Sequence, residues 1–169
     1  MEVIAVVVII AVLGMVAVPS VLNTIQNGKK GSYNVVIDNI KTAAINLYEE
    51  VDLIGNEIPF YKSDGSEELD GAGNILTVTI NDDKQIIVNL QTLLSNGFLK
   101  GSVSEDERAE NKKNMFLLNP MTNDDMGGCE IVIQKNVDSS FKVNYTVSSN
   151  GEEVPDFCPT SEEYQNGVE

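Results

Sequence analysis

Three residues of this chain have a type and a placement that point to specific chemistry: Cys129, Cys158 and Glu2. Beside an N-terminal segment suited to membrane insertion, an even pair of cysteines suggests an oxidised bridge formed outside the cytoplasm. Closing a loop of about 30 residues would stabilise the fold by roughly 3–4 kcal/mol in the chain-entropy account. Two buried free thiols are the alternative. Zinc is disfavoured, since two thiolates lack the further ligands and short spacing it requires. The chain has no histidine, which removes the commonest general base and the commonest metal ligand together.

The other polar constellations are weak. Asp124 and Asp125 in NPMTNDDMGG offer oxygens suited to calcium but lack a ligand ladder of the required spacing. Asn144-Tyr145-Thr146 fits a glycosylation sequon, though a strand position makes a chance match the simpler reading. Lys112 and Lys113 read as a solvated turn. No Gly-rich phosphate loop, Ser/His pair or paired-carboxylate constellation stands out, so the expectation is a protein that is not an enzyme and holds no metal or cofactor.

Glu2 gains its meaning from its neighbours in sequence. From Val3 to Val18 no side chain is polar, and sixteen such residues rise about 24 Å as a helix, slightly short of a hydrocarbon core. Val21 and Leu22 extend the run. A tilted or thinned-bilayer span is feasible, and a single segment satisfies its backbone in lipid only as a helix. A cleaved signal peptide would open on positive charge and end in a small-residue cleavage site, whereas this run opens on an acid. A carboxylate at the end of such a run costs on the order of 2–3 kcal/mol, so a partner charge is expected, and a free N-terminal amine of another subunit would serve. Pro19 cannot donate to the carbonyl of Met15 and Gly14 weakens the same turn, which predicts a kink or melting between them.

After Pro19 the pattern becomes amphipathic. Tyr33, Ile37, Ile40, Ala44, Leu47, Val51 and Ile54 recur at steps of four and three, forming one apolar stripe, with Asn34, Asp38, Lys41, Asn46, Glu49 and Glu50 between them. Gly28 and Gly31 soften the junction and Gly55 stops the helix. Residues 1–22 therefore read as a hydrophobic membrane or packing half of one long helix, and 23–54 as its amphipathic half. Charge follows the same division. Residues 1–48 carry Lys29, Lys30 and Lys41 against Glu2 and Asp38, a net of +1. The remaining eight basic and twenty-four acidic residues give −16, which makes the total −15. So acidic a body lacks the clustered cations that nucleic-acid binding needs, and no direct binding is expected.

Glu2, the run VIAVVVIIAVLG, Gly14, and Pro19 seventeen positions after the glutamate together resemble the N-terminus of type IV pilins and of the pseudopilins of type II secretion and competence systems. The resemblance covers residues 1 to about 54. It implies a subunit that waits in the bacterial cytoplasmic membrane and then joins identical subunits in a helical, extracellular surface filament. Glu2, Gly14 and Pro19 would serve assembly, and Val3, Ile4, Val7, Ile10, Leu13 and Val18 would pack the filament core. A prepilin peptidase and pilus assembly machinery are implied as partners. Family members begin, after cleavage, with an N-methylated phenylalanine four residues before this glutamate. Met1 alone precedes Glu2 here, and the expectation is a truncated or misassigned start.

Residues 55–169 read as an acidic, β-rich head with a C-terminal disulfide region. A Gly/Ser/Asp-rich connection spans 55–74. ILTVTIN and KQIIVNL suggest a hairpin around Asp82-Asp83, and VNLQTLLSNGFLK a short helix ended by Gly97 with Leu90, Leu93 and Leu94 inward. A charged loop comes next, at 101–114. CEIVIQK and FKVNYTV suggest a second hairpin, and the acidic tail from Ser148 would be pinned by Cys158 to the strand that starts at Cys129. The predicted fold class is α+β: a pilin-like long N-terminal helix packed against a small antiparallel sheet.

Overall fold

The computed structural model describes residues 2–103, 115–145 and 155–166, with side chains at 6–7, 21–101, 115–144 and 155–166. Helix α1 runs Glu2–Glu49, 48 residues and about 72 Å, through Gly14 and Pro19 without a break. The expected melting between those two residues is therefore not seen. A proline removes one intrahelical bond and presets a helical φ, so the flanking turns carry the helix across it.

The stripe on the second half of α1 folds inward as its spacing predicts. Tyr33, Ile37, Ile40, Ala44 and Leu47 are buried, and Ala43 and Tyr48 widen the stripe. Its last member is different. After Glu49 the chain takes a π-helical turn, Glu50–Ile54, closed by Gly55 at φ 69°. A π-turn spends an extra residue per turn, so side chains beyond Glu49 rotate off the stripe. Val51 stays partly buried, whereas Ile54 is 64% exposed and Leu53 74%. The same rotation aims Asp52 at the sheet, where its Oδ2 lies 2.7 Å from Lys135 Nζ. That ammonium also sits 5.9 Å from the ring centres of both Tyr48 and Phe141.

The main sheet is antiparallel with order β1 (Gln85–Asn89), β4 (Glu130–Lys135), β5 (Phe141–Tyr145). Strand alternation sends Ile86, Val88, Ile131, Ile133 and Val143 to the buried face against α1. The hairpin between β4 and β5 forms as read from the sequence, with Ile133 opposite Val143. The other expected hairpin does not. Its turn exists, since Asn81 N donates to Gln85 O over 2.9 Å, but β1 pairs with β4 and the 75–80 segment bridges to 58–61 and 67–69 instead.

Those three segments close a ring. Phe60 N donates to Leu76 O, Leu76 N to Glu68 O, and Glu68 N to Phe60 O, each over 2.7–2.8 Å. Two of its corners are Asx turns: Asp64 Oδ1 accepts from Ser66 N, and Asp70 Oδ1 from Ala72 N and Asn74 N. These local bonds hold both carboxyls below the usual carboxylate range. The stretch expected as a plain connection is thus hydrogen-bonded structure.

Helix α2, Leu90–Ser95, is capped by Asn89, whose Oδ1 accepts from Thr92 N at 2.8 Å, and the chain leaves it through Gly97 at φ 80°. Leu90, Leu93 and Leu94 are fully buried, as expected. Asn89 Nδ2 and Thr92 Oγ1 both donate to Tyr61 O, and Tyr61 N donates to Thr92 Oγ1. This satisfied polar knot fastens the ring to α2. A two-stranded ribbon joins β2 (Ser102–Val103) to β3 (Met115–Phe116). Of the charged loop expected at 101–114, Ser102–Val103 is strand, while residues 104–114 with the paired lysines, and the acidic stretch 146–154, lie outside the described residues. The described residues end in a short helix, α3 (Ser161–Asn166), which the strand-and-tail pattern of the sequence did not predict.

Candidate functional site

Of the residues expected to serve assembly, Glu2, Gly14 and Pro19 lie on α1 by backbone, as do Val3, Ile4, Ile10, Leu13 and Val18, but their side chains fall outside the described set. Val7 is described, and it is exposed together with Val6. Further along, Val21, Leu22, Ile25 and Val35 are also exposed. Among the described residues, coverage of α1 by the head begins at Tyr33. Ile25 and Val35 lie between or beyond the stripes that the sequence pattern singled out, and only the packing shows that nothing described in this chain covers them. Among the described residues, no helix is long and apolar enough to cross a membrane. Of the expected span, residues 3–18, only the side chains of Val6 and Val7 are among those described.

A mixed surface lies at the far end of α1, where Leu53, Ile54 and Phe98 meet Asn46, Glu49 and Glu50 around an open depression of about 440 Å³. It exists because of the π-turn, which no sequence signal announced. Apolar side chains are thus exposed on both sides of the covered stretch.

The cysteine pair is brought together: Cys129 and Cys158 form a disulfide with Cα atoms 5.6 Å apart, both residues buried. It ties the segment 155–166 to the chain just ahead of β4. Two hydrogen bonds and one buried side chain also hold that segment. Asn119 Nδ2 donates to Phe157 O at 2.7 Å, Tyr33 Oη donates to Glu163 Oε2 at 3.2 Å, and Tyr164 is buried against the core. Glu163 and Thr160 form a reciprocal capping box, with Thr160 N donating to Glu163 Oε2 and Glu163 N to Thr160 Oγ1. Burial first, then the charge of Glu163, pushes the Tyr33 phenol far above its ordinary range.

The weaker motifs resolve into local roles. Asp125 Oδ1 accepts from Leu117 N and Gly127 N, so that carboxylate braces a turn. Among the described residues no three His, Cys, Asp or Glu are placed to hold a metal ion. Asn144 lies on the outer strand β5, where its Oδ1 accepts from Gln165 Nε2 at 3.4 Å. Compared with protein-family models, curated proteins and solved structures, the chain matches none.

Proposed function

We propose that this protein is a structural subunit of an extracellular type IV pilus filament that polymerises through its N-terminal helix. The observation that carries this reading is the disposition of α1. One unbroken helix of 48 residues is, among the described residues, buried by the head from Tyr33 onward, and the apolar run lies ahead of that stretch. A run of more than a dozen Val, Ile, Leu and Ala side chains calls for lipid or copies of itself around it. At about 25 cal/mol per Å² of apolar area, releasing it into water would cost tens of kcal/mol. The subunit waits in the bacterial cytoplasmic membrane and then joins identical subunits on the cell surface.

Moving from lipid to a helix bundle gains little hydrophobic energy, so close packing and charge pairing select the partner. Glu2 supplies the charge, neutralised by a neighbour's N-terminal amine, and Val3, Ile4, Val7, Ile10, Leu13 and Val18 pack the core. Gly14 and Pro19 are the weak turn at which the helix yields under load. A prepilin peptidase and assembly machinery act on the chain beforehand. The role is structural rather than catalytic. A pseudopilin of a secretion or competence system shares this design and differs in filament length. A monomeric tethered binding module would share the anchor but form no filament.

Mass spectrometry of filaments sheared from source cells, paired with electron micrographs, tests the reading. An abundant N-terminal peptide from this chain in sheared fibres supports it. An intact form confined to membranes, with no copy in sheared material, overturns it in favour of a tether or a short pseudopilus.

A further inference from the structure

Residues 75–80 run beside β1 yet, among the described residues, share no backbone hydrogen bond with it beyond the turn at Asn81 and Gln85. Parity shows which groups face the gap. Leu90 N donates to Cys129 O and Lys135 N to Lys84 O, so even-numbered residues of β1 bond to β4. Odd-numbered ones, Ile87 among them, turn their N–H and C=O to the outer edge. On the other side Leu76 and Val78 spend their backbone groups on Ile58, Phe60 and Glu68. Thr77 and Thr79 therefore turn theirs back toward β1.

The side chains already obey the same alternation. Val78 is buried and Ile80 partly buried, on the face shared with Ile86 and Val88. Between the two segments lies a cleft of about 260 Å³ lined by Phe60, Leu76, Thr77, Thr79, Gln85 and Ile87, with no charged side chain. Leu76 and Ile87 are 40% and 49% exposed there.

We propose that residues 75–80 are a strap that closes onto β1, with Thr79 opposite Ile87, and makes the sheet four-stranded. The register is set by the pair already made, Asn81 with Gln85, and stepping by two along each strand gives Thr79 with Ile87. Closure makes Thr79 N–H to Ile87 C=O and Ile87 N–H to Thr79 C=O bonds, and breaks none of the bonds to 58–60 and 68. It also covers the open edge of β1, a liability in any sheet. The inference concerns the head alone and stands apart from the filament reading.

Thiol trapping on the full chain in detergent tests it. Under mild oxidation the Thr79→Cys/Ile87→Cys variant is expected to form a crosslink in most molecules, with the Cys129–Cys158 bridge intact by peptide mapping. The out-of-register Thr77→Cys/Ile87→Cys variant is expected to form little. Equal trapping in both variants, or none in the first, overturns the proposal. Should the variants misfold, amide-to-amide cross-relaxation between Thr79 and Ile87 in the unsubstituted chain decides, with slowed hydrogen exchange at both amides expected. Free exchange at both would refute closure.

Discussion

The hydroxyl of Tyr33 donates to Oε2 of Glu163 across 3.2 Å and 130 positions of sequence, joining the first buried residue of α1, among those described, to the last helix of the chain. That oxygen also accepts from Thr160 N at 2.7 Å, so one carboxylate caps α3 and anchors it to α1.

Tyr33→Phe is expected to lower stability by about 1.5–3 kcal/mol at pH 7, the worth of a hydrogen bond to a charged acceptor. It should also change the alkaline response. Burial, then the Glu163 charge, raises the folded-state pKa above the unfolded value of about 10. The folded chain therefore holds this proton more tightly, and stability is full below about pH 10 and falls as pH climbs past it. Thermal melts from pH 7 to 11 should show a shallower alkaline decline in the variant. Tyr48 is pushed up too, chiefly by burial, so some slope should remain. An unchanged slope would sink the assignment.

Replacing both Cys129 and Cys158 by Ser should cost about 3–4 kcal/mol, given the 29-residue separation of the bridged residues. Urea unfolding of the full chain in detergent measures it, with the reduced wild type as a second route to the same state. A loss below about 1 kcal/mol would mean that the contacts of Tyr33 and Asn119 hold the C-terminal segment without the bridge.

Leu47 and Leu53 sit six residues apart on opposite sides of the π-turn's onset. Leu47→Ala removes a fully buried side chain and should cost about 2–5 kcal/mol. Leu53→Ala truncates a side chain 74% exposed and should fall within about 0.5 kcal/mol of wild type. Similar losses at both positions would show that Leu53 is covered rather than turned outward at the π-turn.

Glu2→Ala should abolish filaments on source cells while the head melts at the wild-type temperature. Normal piliation in that variant would remove Glu2 from assembly. A lower melting temperature would assign it a role in folding instead.

Much of this architecture was legible because it is local. Steps of three and four mark the stripe from Tyr33 to Leu47, Gly55 and Gly97 mark two helix ends, and alternation across a polar turn marks the β4–β5 hairpin. The failures are cases in which a local pattern had two partners available. Residues 75–80 alternate as a strand should, but nothing in them says whether β1 or the 58–61 segment takes their edge. The π-turn has no signature in EVDLI, and the contact it makes, Asp52 with Lys135, is to a strand 83 positions away. Helix α3 did carry a signal, Thr160 with Glu163 three residues later, which is the capping-box spacing. The apolar run supports the proposed assembly role by composition alone.

The ring formed by Phe60, Leu76 and Glu68 has a mechanical consequence. An ordinary hairpin opens from its free end, one rung at a time, so partial opening is cheap. A closed circuit of three bonds has no free end: losing any one leaves two segments each short of a partner. This part of the head should open all at once or not at all, making it a single exchange unit rather than a fraying margin. Its corners are the opposite, each an Asx turn complete in itself, so chain inserted near Gly71 would lengthen a loop without touching the circuit.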